Sequence, residues 1–399
     1  MRKTLAIIAA MAFGLIALTS CNQKDETKAK YVFLFIGDGM GATHVATAES
    51  YLSHKAGKLG GEQLLMTTFP YYGTATTHSA DKHITCSSAA GTAIACGEKA
   101  NNGTVGINKD SVNIKSVAYC LQEQGYNVGI ISSVPVNHAT PASFYAHNVN
   151  RGNYYEIASQ IPGSGFDFFA SAGFLDYKDK HGDKEAIDQV IEAQGYTVCY
   201  GLEEFTDRAA GKEKVVFCQA SSKEESAANY VSDGKTEEDI TLAKMVELGI
   251  ESLGADEPFF IMCEGGTIDW AAHDNRTMSM VNDVITFDQA IKVAYDFYLK
   301  HKDETLIVVT ADHETGGLTL GAGSSTINWD ELERQWLSTD RKDVTDYDTN
   351  RRHNKSCSIG WTTGSHTGGA VPVFAIGKGA EKFNGRIDNT DIKGKILGE

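Results

Sequence analysis

Short β-branched and aromatic runs alternate with amphipathic stretches from residue 31 onward, and this alternation constrains the fold more than any other feature. The runs lie at 31–36, 127–131, 215–217, 259–262, 305–309 and 371–376. Between them, 114–124, 185–193, 239–253 and 277–300 carry apolar residues at helical spacing. In the last, Met280, Val284, Phe287, Ile291 and Ala294 recur near the helical period. Strands alternating with helices predict a large, mostly parallel central sheet covered on both faces, an α/β fold of the three-layer α/β/α sandwich type. No Pro- or Ser-rich linker and no internal repeat divides residues 31–399, which predicts a single domain. The polar stretch at about 321–360 reads as a surface insertion, and its Arg351-Arg352-His353 triplet as a solvated loop.

The first residues read as an address. Met1-Arg2-Lys3 is basic and 5–18 is apolar without a charge. That stretch is too short to span a bilayer comfortably, so 1–20 is predicted to be a signal peptide. Leu18-Thr19-Ser20-Cys21 resembles a bacterial lipobox, which makes Cys21 the predicted lipidation site and 21–30 a polar tether. The expected location is that of an exported lipoprotein, periplasm-facing or on the cell surface. It would touch a membrane, the outer membrane by expectation, only through the lipid on Cys21. Asp25-Glu26 faintly resembles a surface-export signal.

The 36 Lys and Arg residues face 52 Asp and Glu, a formal charge of −16, or −18 once residues 1–20 are removed. Such a chain is no nucleic-acid platform, which needs a basic footprint. It also poses a problem for any anionic substrate, which the chain as a whole repels. Of the 8 cysteines, seven remain beyond Cys21, an odd number without CxxC spacing. That argues against both a disulfide framework and a zinc–thiolate cluster.

Chemistry is expected where strands end, because open α/β sheets bind ligands beyond the carboxyl ends of their strands. Three runs end in acids: at Asp38, at Glu264, and at Asp312-His313. One such acid is ordinarily a turn or cap residue; three together point to a carboxylate-rich metal site. Asp269 and His273, four apart, share a helix face, which suits either a two-point grip on zinc or a surface salt bridge. His366 lies in the glycine-rich segment Gly364-Ser365-His366-Thr367-Gly368-Gly369. The small-residue run after Ser87 predicts a helix packed tightly against the sheet. Ser87 at its start either caps the helix or serves as a nucleophile at its positive end.

Together these residues resemble the alkaline phosphatases, in collinear order from about residue 31 to 377. Phe35-Ile36-Gly37-Asp38-Gly39-Met40-Gly41 is similar to that family's first metal motif, and Ser87 to its phosphorylated nucleophile. Val136-Asn137-His138-Ala139-Thr140 resembles the segment giving a magnesium ligand, here Thr140. Arg151 matches the phosphate-binding arginine. The resemblance implies one zinc on Asp269, His273 and His366, a second on Asp38, Asp312 and His313, and magnesium on Asp38, Thr140 and Glu264. It implies phosphate-monoester hydrolysis through a phosphoserine at Ser87, small phosphorylated substrates, and a homodimer.

Three positions depart from familiar members. Cys86 stands where an arginine-orienting Asp is frequent, and His138 where some bacterial members carry Asp. Trp270 stands where others have Lys or His. These outer positions predict a less constrained Arg151 and a third metal that is loosely held or exchangeable with zinc. Sulfatases carry Pro and Arg after their modified Cys, whereas Cys86 precedes Ser87-Ser88-Ala89-Ala90. Phosphodiesterases of the superfamily typically use Thr as nucleophile, and Thr140 with Glu264 count against them. A lipoprotein that merely captures zinc or phosphate would not need Ser87.

Overall fold

The computed structural model describes residues 28–223, 239–338 and 347–399. The predicted signal peptide, Cys21 and most of the tether lie outside the described residues. In chain order the strands are β1 (Tyr31–Gly37), β2 (Tyr71–Thr76), β3 (Asn127–Ser132), β4 (Phe168–Ser171), β5 (Thr197–Tyr200), β6 (Val215–Cys218), β7 (Phe259–Gly265) and β8 (Thr305–Thr310). The short β9 (Glu314–Thr315), β10 (Leu318–Leu320), β11 (Ile359–Trp361) and β12 (His366–Thr367) come next, then β13 (Val371–Gly377) and β14 (Gly385–Asp388). Ten of them form one sheet in the order β14-β2-β13-β8-β1-β7-β3-β4-β6-β5. Within it only β13 runs against its neighbours. The six expected strands are all present. The sequence pattern did not mark β2, β4, β5 or β14, because three are only four residues long and β2 (YYGTAT) alternates polar and small residues.

The middle of the sheet explains the sequence pattern. β1, β7 and β8 are buried along their whole lengths, as continuous apolar strands covered on both faces must be. The longer helices, together with two short ones that carry site residues, are α1 (Ala42–Lys55), α2 (Ser87–Cys96), α3 (Ala139–Tyr145), α4 (Leu242–Leu253), α5 (Thr267–His273), α6 (Thr277–Lys300), α7 (Trp329–Ser338) and α8 (Tyr347–Ser356). The buried residues of α6 include Met280, Val284, Phe287, Ile291 and Ala294, the stripe the periodicity marks.

Parallel register brings the strand ends to one edge. Ile36 of β1 is level with Glu264 of β7 and with Thr310 of β8, and Ser132 of β3 is level with Glu264. Asp38, Glu264 and Asp312 therefore converge, although they are far apart in sequence.

Two expectations need correcting. The small-residue helix α2, expected against the sheet, packs closely on α3: a Cβ added at Gly91 would lie 3.0 Å from Ser143 Oγ of α3. Residues 351–353 are exposed but sit on α8 rather than in a loop. The opposite face of α8 is stitched into the domain. Asn350 Nδ2 donates to the Asp274 carbonyl (2.8 Å) and Asn354 Nδ2 to the Asn275 carbonyl (2.7 Å). Both acceptors directly succeed His273 in the chain.

Candidate active site

Ser87 is the first residue of α2, so its hydroxyl stands at the helix's positive end. Ser87 Oγ lies 3.2 Å from His313 Nε2. That same nitrogen is 3.5 Å from Asp38 Oδ1 and 3.2 Å from Asp312 Oδ2, all in side chains with no solvent exposure. Gly39 and His313 donate their backbone N–H groups to Asp312 Oδ1, at 3.1 and 2.9 Å, which aims Oδ2 at the cluster. Gly39 has φ +72°, and a Cβ there would lie 2.8 Å from Thr315 Oγ1 and 2.9 Å from Asp269 Oδ1. Only glycine lets the β1 turn come this close.

The helical spacing of Asp269 and His273 produces the expected pair: Asp269 Oδ2 lies 3.3 Å from His273 Nε2. His366 joins them through the β9–β12 ribbon, where it is level with Thr315, and its Nε2 is 3.7 Å from Asp269 Oδ1. Glu314 pins the ribbon by accepting from Thr367 Oγ1 and the Gly317 N–H. His273 Nδ1 donates to the Gly364 carbonyl at 2.7 Å, and His366 Nδ1 to the Thr85 carbonyl at 2.9 Å. Both Nε2 atoms are then free to act as acceptors, and they face each other at 3.1 Å.

Behind Ser87 lies a third group. Asp38, His138 and Glu264 present ligand atoms within 4.8 Å of one another; so do Asp38, Asp312 and His313, and Asp269, His313 and His366. Ser132 Oγ donates to Glu264 Oε2, leaving Oε1 without a partner. Thr140 Oγ1 of α3 and His138 Nδ1 are also buried without partners. His138, expected in an outer shell, thus stands among the candidate ligands beside Thr140.

The electrostatics arise from this crowding. Burial, then the neighbouring Asp312, Asp269 and Glu264 carboxylates, push Asp38 well above the usual carboxylate range. Burial and Asp269 raise Asp312 likewise, and burial lifts Glu264 to about 7 against the hydrogen bond from Ser132. For Asp269 burial works the same way but is outweighed by His273, His313 and His366, which hold it well below its ordinary value. Asp38 Oδ1 and Oδ2, Asp312 Oδ2 and Glu264 Oε1 are buried with no hydrogen-bond partner. Carboxylate oxygens and imidazole lone pairs forced together in this way fit divalent cations, which remove both the repulsion and the unmet hydrogen bonding. Imidazole with carboxylate suits zinc, and the more oxygen-rich group at Glu264 suits a harder ion.

Arg151, Cys86 and Trp270 gather around His138 and the start of α2. Arg151 is fixed by its N–H to the Gly103 carbonyl (2.7 Å), and its guanidinium donates to His138 Nε2 at 3.2 Å. It makes no ion pair among the described residues. Cys86 Sγ accepts the Gly103 N–H at 3.1 Å and lies 3.2 Å from Ser88 Oγ. Although burial opposes it, these contacts and Arg151 lower the Cys86 thiol below its usual range. Trp270 packs edge-on against His138, with ring centroids 5.7 Å apart. None of the seven described cysteines is in a disulfide, and five are buried.

Every site residue marked in the sequence from Asp38 to His366 is brought to this one edge of the sheet. The sequence fits the alkaline phosphatase family over residues 29–190, 223–345 and 325–397. The chain belongs to the alkaline phosphatase family. It is 32% identical to alkaline phosphatase 4 of Bacillus subtilis, covering 93% of this chain and 89% of that one. It is 29% identical to alkaline phosphatase 3 of the same organism, covering 98% and 95%. Among solved structures, a variant of the alkaline phosphatase of the Antarctic bacterium TAB5 with magnesium in its M3 site superposes with a TM-score of 0.75. It has 32% identity, with 93% of this chain and 98% of that one covered. A cold-active alkaline phosphatase from a Shewanella species gives 0.79 at 26% identity, with 92% and 99% covered. As an alkaline phosphatase, the chain is a metal-binding hydrolase of small phosphoric monoesters.

The sequence did not mark Ser132, Glu314 or Thr315. The one signal that could have found Thr315 is its place two residues beyond the marked His313.

Proposed function

We propose that this alkaline phosphatase hydrolyses phosphate monoesters by phosphorylating Ser87 and then releasing phosphate from it, with two zinc ions and one magnesium ion. Asp269, His273 and His366 would hold one zinc, and Asp38, Asp312 and His313 the other. Asp38, Thr140 and Glu264 would hold magnesium, with His138 beside them. These ions supply Lewis-acid stabilisation of the oxygens that gain charge on either side of phosphorus.

The observation that carries this reading is the position of Ser87: its hydroxyl starts a helix and lies 3.2 Å from His313 Nε2, next to carboxylate oxygens without partners. A nucleophile must give up its proton and an anion needs a positive environment; a zinc ion held by Asp38, Asp312 and His313 beside the N-terminus of α2 would lower the pKa of the hydroxyl and add to the helix's positive end. Ser87 attacks phosphorus in line and the alcohol departs from the opposite side. Water then enters from the vacated side, and two inversions give retention at phosphorus. Arg151, donating through a planar guanidinium, grips two nonbridging oxygens and holds the phosphoryl group in register with Ser87. Cys86 and His138 flank that arginine and set its freedom.

The reading also includes export as a lipoprotein anchored at Cys21, which rests on the sequence alone, and pairing as a homodimer, which rests on the family resemblance alone. The test of the chemistry is hydrolysis of p-nitrophenyl phosphate by the wild type and by Ser87→Ala after loading with zinc and magnesium. The variant should lose roughly a thousandfold or more in kcat. Equal turnover by both would reject Ser87 as the nucleophile.

A further inference from the structure

Thr315 is buried completely, and its hydroxyl touches one residue from each of the two proposed zinc sets. Thr315 Oγ1 donates to Asp269 Oδ1 at 2.5 Å and lies 3.2 Å from His313 Nδ1. A hydroxyl has one proton. Once that proton is given to the carboxylate, the oxygen can only accept from the imidazole, so His313 Nδ1 must carry its hydrogen. The lone pair of His313 is thereby placed on Nε2, the atom that faces Asp38, Asp312 and Ser87.

The backbone of Thr315 is held where this contact needs it. Its N–H donates to the Gly39 carbonyl at 3.1 Å, and β9–β12 pairing sets it level with His366. The stacking of His313 on His366, with ring centroids 3.6 Å apart, puts the two sets side by side around it.

We propose that Thr315 is a positioning residue that couples the two zinc sites: one hydroxyl orients Asp269 in the first and selects the ligand nitrogen of His313 in the second. The inference rests on the two-zinc reading above. Outer groups that orient ligands typically change metal affinity by about 10- to 100-fold when removed. Here a single hydroxyl acts on both sites, so its loss should loosen both zinc ions together. A residue that merely fills space would be replaced without consequence by valine, which has the same shape.

The test is zinc release from the full-length, zinc-loaded protein into excess chelator, monitored with a zinc indicator, for wild type, Thr315→Val and Thr315→Ser. The expected result is release of both zinc ions faster by roughly 10-fold or more in Thr315→Val, with near wild-type release in Thr315→Ser. Unchanged release in Thr315→Val, or acceleration of one ion alone, overturns the coupling while leaving the two-zinc reading in place. A wild type that retains no zinc overturns that reading and the inference with it. If Thr315→Val does not fold, histidine-selective ¹⁵N NMR of the zinc-loaded wild type decides: zinc on Nε2 of His313 with Nδ1 protonated supports the inference, and zinc on Nδ1 overturns it.

Discussion

His273 and His366 point their Nε2 atoms at each other across 3.1 Å while each gives its Nδ1 proton to a backbone carbonyl. Two such nitrogens repel unless a proton, which Asp269 favours on His273, or a metal cation lies between them. The exposure of the sets differs: the His273 side chain is 37% exposed, whereas those of Asp38 and His313 are fully enclosed. Zinc should therefore leave in two phases on chelation, first from the His273 side. Metal analysis against time checks this, and a single phase carrying both ions would contradict it.

At the arginine, Cys86 offers polarisable sulfur where a carboxylate would form a charge-assisted bond. Cys86→Asp should tighten inhibition by inorganic phosphate roughly tenfold, equivalent to about 1.4 kcal/mol. The measurement is the phosphate inhibition constant of each form. Equal constants would show that Arg151 is already fully oriented by Gly103 and His138.

His138 brings an imidazole to the group with Asp38 and Glu264, and imidazole favours zinc over magnesium. Dialysis into magnesium-free buffer should lower activity, and added magnesium should restore it. His138→Asp should shift half-maximal activation to a lower magnesium concentration. Full activity of the wild type after dialysis would contradict a weak third site.

Helix α8 braces the first set from behind. Asn354 is buried, donates to the Asn275 carbonyl and accepts from Thr277 Oγ1, both at 2.7 Å. Asn354→Ala leaves the Asn275 carbonyl without its donor and the Thr277 hydroxyl proton without its acceptor, and should cost about 1–3 kcal/mol of stability. Urea unfolding of metal-free protein measures this; an unchanged midpoint would show that α8 is dispensable.

How much of this was legible in the sequence depends on the range of the signal. The apolar runs of β1, β7 and β8 and the stripe on α6 are local patterns, and burial on both faces writes them directly into composition. The acids at strand ends are local too, and parallel register does the rest by aligning Ile36 with Glu264 and Thr310. The four-residue strands β4, β5 and β6 are too short for alternation to register reliably, and only β6 stood out. The packing of α2 on α3 through Gly91 is a contact across 52 residues from Gly91 to Ser143, which no window reveals. Thr315 is an ordinary threonine until Asp269, 46 residues earlier, is folded against it. Polar side chains whose role lies in a distant partner, such as Asn350 and Asn354, read as surface for the same reason.

The central claim is that Ser87 carries the phosphoryl group during turnover. Acid quenching of the zinc- and magnesium-loaded enzyme with p-nitrophenyl phosphate, and then peptide mass spectrometry, tests it most directly. Phosphoserine at Ser87 in the wild type, absent from Ser87→Ala, is the result predicted. A phosphoryl group on another residue, or full turnover by Ser87→Ala without any phosphorylated peptide, would contradict it.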